Sequence, residues 1–129
     1  MKSTIETREM AQKVVDYIGD NPERHSQSWF CSGWEDEGMC DTTMCIAGTA
    51  VFLEGGSEAL VEGRQNGVKW WTDNGARILG LNKNEALNLF YCMDNEAAVA
   101  ATVAIAQGDE VKFNAVLREA FEREVEEEW

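Results

Sequence analysis

Residues 94–121 read DNEAAVAATVAIAQGDEVKFNAVLREAF, and this stretch decides the fold. Asp94 stands where an N-cap side chain accepts an otherwise unpaired helix N–H. A run of small, mostly apolar residues follows from Asn95 to Gln107. Gly108 ends it, because glycine reaches the left-handed C-cap conformation without strain. Asp109 then repeats the start signal. Phe113, Val116, Leu117, Ala120 and Phe121 recur at helical spacing behind it. Two capped helices joined by one turn, with no alternating apolar pattern, point to an all-α chain.

The same grammar extends upstream. Asn82 and Glu85 form a capping-box pair ahead of the stripe Ala86, Leu89, Phe90 and Met93. Thr72 or Asp73 is expected to cap a helix ending at Leu79, with Gly80 at its C-cap. A further helix is expected from about Thr43 to Leu53, capped by Asp41 or Thr42 and stopped by Gly55-Gly56. It is apolar nearly all round, which predicts a central, buried position. Gly48 within it would let a neighbouring helix approach closely.

Residues 57–69 are less regular. Ser57 to Glu62 reads as one or two helical turns, Gly63 to Gly67 as a turn, and Val68 to Trp71 as a minor extended segment. Near the start, Ser3 and Glu6 fit a capping box, and Ala11, Val14, Val15 and Ile18 form a stripe that Gly19 ends. Asn21-Pro22 starts a short element, and residues 31–41 read as a loop. The expected architecture is one all-α domain, residues 1–129, of about six short helices.

Composition narrows function more than it defines it. Eleven Lys and Arg against 24 Asp and Glu leave a net charge of −13. Sequence-independent nucleic-acid binding needs clustered cations and is disfavoured. Anionic membrane surfaces are disfavoured for the same reason. No stretch approaches the ~20 apolar residues that span a bilayer. Met1 to Glu6 has no apolar run of the secretory type, so the expected location is the cytoplasm. In that compartment four cysteines read as reduced thiols or metal ligands rather than a disulfide scaffold.

Cys40-Asp41-Thr42-Thr43-Met44-Cys45-Ile46-Ala47-Gly48-Thr49-Ala50 resembles a Cys-Gly-Thr-x-x-Cys-x-Ala-Gly-Trp-Ala signature. Ala76 to Leu81 with Glu85-Ala86 and Leu89-Phe90 resembles its usual downstream partner, and His25-Ser26-Gln27-Ser28-Trp29-Phe30 is similar to an upstream His-x-Gln-x-x-Trp element. Together they look like a family of small uncharacterised proteins from actinobacteriophages and actinobacteria. The chain departs from the signature at Asp41 and Thr49 and retains both its cysteines. The resemblance covers roughly residues 20–93. It implies a phage-like setting in a bacterial host cytoplasm, and a non-enzymatic accessory or host-modulating role.

His25, Cys31, Cys40 and Cys45 are the candidate metal ligands, spaced His-x5-Cys-x8-Cys-x4-Cys. Structural zinc takes four such donors in a tetrahedron, and the intervening loop has little hydrophobic content to order it. No cofactor is the leading expectation, with buried or inert thiols in place of zinc. A Cys40–Cys45 disulfide is another reading, and Cys92 reads as core. A thiol enzyme would pair Cys45 as nucleophile with His25 as base, but no orienting third group is identifiable.

The candidate contact surface lies in the aromatics and the acidic C-terminal region. Trp34 and Trp71 are expected near or at the surface, since two adjacent tryptophans on one element cannot both face one core. From Asp94 to Trp129 there are ten acidic and three basic residues, a balance of −7 in 36 residues. Glu119, Glu122 and Glu126 lie mainly off the apolar stripe, and Trp129 follows Glu126-Glu127-Glu128. The expected partner is a basic protein, including one whose DNA groove these carboxylates would occupy as a nucleic-acid mimic. Direct nucleic-acid and membrane partners are not expected. Glutamates at a helix C-terminus oppose its dipole, so the last turn is expected to fray.

Metal analysis of the purified chain separates the readings of the cysteine loop. About one equivalent of zinc, lost in Cys40→Ser, identifies a metal site. Zinc-free protein with four titratable thiols matches the leading expectation.

Overall fold

The computed structural model describes residues 1–24, 45–91 and 93–127, with the backbone alone for Arg24 and residues 121–127. Six α-helices account for most of this: α1 Ile5–Asp20, α2 Ile46–Asn66, α3 Val68–Leu79, α4 Lys83–Tyr91, α5 Asn95–Gln107 and α6 Glu110–Glu127. A short 3-10 turn, Pro22–Arg24, follows α1. There is no strand among the described residues.

Most boundaries are set by the side chains that mark them in the sequence. The Asn82 N–H donates to Glu85 Oε1 at 2.9 Å, and the Glu85 N–H donates to Asn82 Oδ1 at 2.8 Å. That reciprocal pair satisfies two N–H groups at the start of α4. Asp94 accepts from the Ala97 N–H at 2.8 Å, and Asp109 from the Lys112 N–H at 3.0 Å. Gly80 and Gly108 close α3 and α5 in the left-handed conformation.

The first helix starts one residue later than expected. Thr4 is its N-cap, and Thr7 replaces Glu6 as the partner in the capping box. The shift has a packing reason. Beginning at Thr4 puts Thr7, Ala11, Val14 and Ile18 on one buried face. The helix also runs through Gly19 to Asp20, where the Asn21 side chain donates to the Tyr17 carbonyl at 3.0 Å.

Residues 57–71 depart most from expectation. Gly55-Gly56 does break the helix, as expected: Gly56 is non-helical at φ 68° and ψ −161°, and a second helical stretch of α2 continues beyond it to Asn66. Val68 to Trp71 is not extended: it forms the first turn of α3. Bulky and β-branched residues favour a strand only when a neighbouring strand pairs with them, and the described chain offers none. As a helix, this segment places Trp71, Thr72, Gly75, Ile78 and Leu79 on one buried stripe. Thr72 therefore does not cap, and its hydroxyl donates to the Val68 carbonyl one turn back at 3.0 Å.

The helices pack in neighbouring pairs. The closest packing is of α2 with α3, α1 with α5, and α5 with α6, while α1 also meets α2 and α3. Phe90, Phe113, Ile46, Leu60, Leu79, Leu89 and Ile105 are the largest fully enclosed apolar side chains. α2 contributes Ile46, Ala47, Ala50 and Val51 to the same core, as its all-round apolar character predicts. Glu85 joins the chain start to this frame, accepting the Met1 ammonium at 2.7 Å.

Gly63 is a point of close approach between α2 and α3. A Cβ there would overlap the Trp71 ring and lie 2.7 Å from the Trp70 ring. Gly63→Ala is therefore expected to lower stability by about 1–3 kcal/mol through overpacking. Urea unfolding followed by tryptophan fluorescence checks this; an unchanged midpoint would contradict the packing.

Candidate functional site

Of the four candidate metal ligands, only Cys45 belongs to the described residues. His25, Cys31 and Cys40 lie outside them, as do Trp34, Cys92 and Trp129. Among the described residues no group of three His, Cys, Asp or Glu side chains is arranged to hold a metal ion.

Cys45 occupies the N-cap of α2 rather than its first turn. It is 1% exposed and belongs to the core cluster with Ile46 and Ala47. Its carbonyl accepts both the N–H and the hydroxyl of Thr49, at 2.9 Å and 2.8 Å. Nucleophilic attack needs a thiolate that substrate can reach, and Cys45 is enclosed instead.

Trp71 corrects another expectation. It is 4% exposed and lies in the core against Gly63, so its ring presents no surface to a partner. The adjacent pair does diverge as expected, but in the other sense. Successive helical residues point about 100° apart, and Trp70 takes the half-buried position, meeting Trp71 edge-on at 5.3 Å between ring centroids.

Two acidic clefts lie on the helix pairs. The first, of about 220 Å³, runs between α5 and α6. Asp94, Glu96 and Glu119 supply its carboxylates, and Ala97, Ala100, Val116 and Ala120 its apolar lining. Glu119 is exposed, as expected. Glu122 and Glu126 continue the same helix, which is helical through Glu127 with no basic residue in its last turn.

The second cleft, of about 300 Å³, lies between α2 and α3. Glu54, Glu58 and Glu62 line it, with Trp70, Asn74 and Arg77 contributed by α3. Arg77 binds Glu54 through both terminal nitrogens, at 2.7 Å and 3.2 Å. The Glu54 hydrogen bond raises the guanidinium pKa above its ordinary value, against a partial desolvation that lowers it. This cleft is not anticipated from the sequence. Its signal in the sequence is the four-residue spacing of Glu58 and Glu62, which share one face of the helical stretch after Gly56, while Glu54 reaches the cleft from the stretch before the kink.

These features define a small, acidic, all-α protein that carries, among the described residues, carboxylate-lined clefts on two helix pairs and a buried cysteine. Comparison with known protein families, with curated proteins and with solved structures finds no match. No helix among the described residues is long and apolar enough to cross a membrane.

The burial of Cys45 gives a direct test of the thiol-enzyme alternative. An alkylating probe at pH 6, read out by peptide mass spectrometry, is expected to leave Cys45 unmodified in the native chain and to label it after unfolding. Selective native labelling of Cys45 would restore the nucleophile.

Proposed function

We propose that the protein is a non-catalytic, phage-type accessory protein that binds a basic host or phage protein in the bacterial cytoplasm. The acidic surface of α6 and its cleft with α5 form the contact. The observation that carries this reading is the arrangement of that cleft. Exposed carboxylates of Asp94, Glu96 and Glu119 border a strip of small apolar residues, Ala97, Ala100 and Val116. Such a surface offers a cationic partner opposite charge at the edge and apolar area within, the usual division of a protein interface.

Charge supports the reading from a second direction. The balance of −7 after residue 93 leaves this last part of the chain strongly acidic. Long-range attraction of that kind accelerates encounter with a basic partner more than it tightens the final complex. It also accommodates the nucleic-acid-mimic form of the proposal, in which the partner is itself a DNA- or RNA-binding protein. The phage setting rests on the family resemblance of residues 20–93 alone.

Affinity purification from host cells tests the proposal. A reproducible basic partner is expected, with recovery falling about tenfold or more for Glu119→Lys/Glu122→Lys as attraction becomes repulsion. Recovery unchanged by the double reversal would place the contact elsewhere. Absence of any partner from both proteins would remove the reading.

A further inference from the structure

The α2–α3 cleft is distinct from the α6 surface, and its chemistry is more specific. Glu58 and Glu62 lie at successive turns of α2 along one wall, and Glu54 joins them from before the Gly56 kink. Trp70 forms part of the other, with its ring half-buried against Gly63 and Trp71. The wall already holds one guanidinium: Arg77 grips Glu54 with two nitrogens. Among the described residues, the carboxylates of Glu58 and Glu62 have no cation of their own.

We propose that this cleft seats an arginine side chain of the basic partner, its guanidinium held by Glu58 and Glu62 and lying against the Trp70 ring. The proposal rests on the reading above that the partner is a basic protein, and it adds a second, residue-specific contact. Arginine fits better than lysine on two counts. Its planar fork pairs with carboxylates through two parallel hydrogen bonds, as Arg77 does within the chain. Its flat, weakly hydrated cation also stacks on an indole, where an ammonium loses more hydration.

Other occupants meet the same charge with the wrong sign. A second copy of the chain carries −13 itself, and nucleic-acid phosphates are repelled by the carboxylates. An apolar helix would bury Glu58 and Glu62 without a counter-charge, which is strongly unfavourable. A cationic side chain relieves the mutual repulsion of the two carboxylates as it enters.

The test is a titration of isotopically labelled full-length protein with hexa-arginine and, separately, hexa-lysine, followed by nuclear magnetic resonance. The Trp70 indole N–H reports the α2–α3 cleft, and the Glu119 amide reports the α6 surface. Hexa-arginine is expected to shift the Trp70 signal, and Glu58→Gln/Glu62→Gln to weaken that response about tenfold. Glu119→Gln/Glu122→Gln should leave the Trp70 response within about twofold, since these residues lie on another helix pair. Circular dichroism melts of each variant confirm an intact fold.

A Trp70 signal that stays put while the Glu119 amide moves would overturn the arginine seat and leave the basic-partner reading standing. A hexa-lysine response at Trp70 equal to that of hexa-arginine would also overturn it, reducing the cleft to a general ionic surface. Movement at neither reporter would defeat both readings.

Discussion

At Gly63, α2 presents bare backbone to two indole rings, and much of the structure depends on that approach. Trp71 fills the space a Cβ would need, and Trp70 leans on it edge-on. The contact brings α2 and α3 together as neighbours joined through the single residue Gly67. Gly67 makes the reversal at φ 87°, a conformation that strongly favours glycine. Once this pair is set, Gly75 of α3 meets Phe90 of α4 and Ala47 of α2. The acidic groove follows from the same event, because its two walls belong to α2 and α3.

The charge of the chain is tolerated through placement. The acidic residues of both clefts are exposed, where water and ions screen their repulsion. Glu85 of α4 is instead buried, at 8% exposure, and is met by donors. It accepts from the Asn82 N–H and from the Met1 ammonium. A buried charge without such partners would cost several kcal/mol. The exposed glutamates face no such demand from the fold, because water solvates them.

The local signals in the sequence were legible where one side chain settles the matter. Asn82 with Glu85, Asp94, Gly80, Gly108 and Asp109 each mark a helix end through a nearby hydrogen bond or a single positive φ. The stripe of Ala86, Leu89, Phe90 and Met93, all four buried, follows from the Asn82–Glu85 pair. The region of Gly55 to Trp71 was not legible in the same way. Paired glycines end a helix or kink it according to whether the following turns find something to pack against. Gly63 finds Trp71 and Leu60 enters the core, so a second helical stretch follows Gly56. Val68 and the tryptophans carry strand preference, but no partner strand exists for them in the described chain.

The sequence by itself determined the all-α class, most helix ends and the acidic character, because these depend on contacts within a few residues. Tertiary structure alone decided that Trp71 is core and Trp70 is not, that Cys45 is enclosed, and that Glu54, Glu58 and Glu62 share a groove with α3. Each of these depends on which helix lies opposite. That choice is made by fitting surfaces distant in sequence, as where the bare backbone at Gly63 of α2 admits the Trp71 ring of α3.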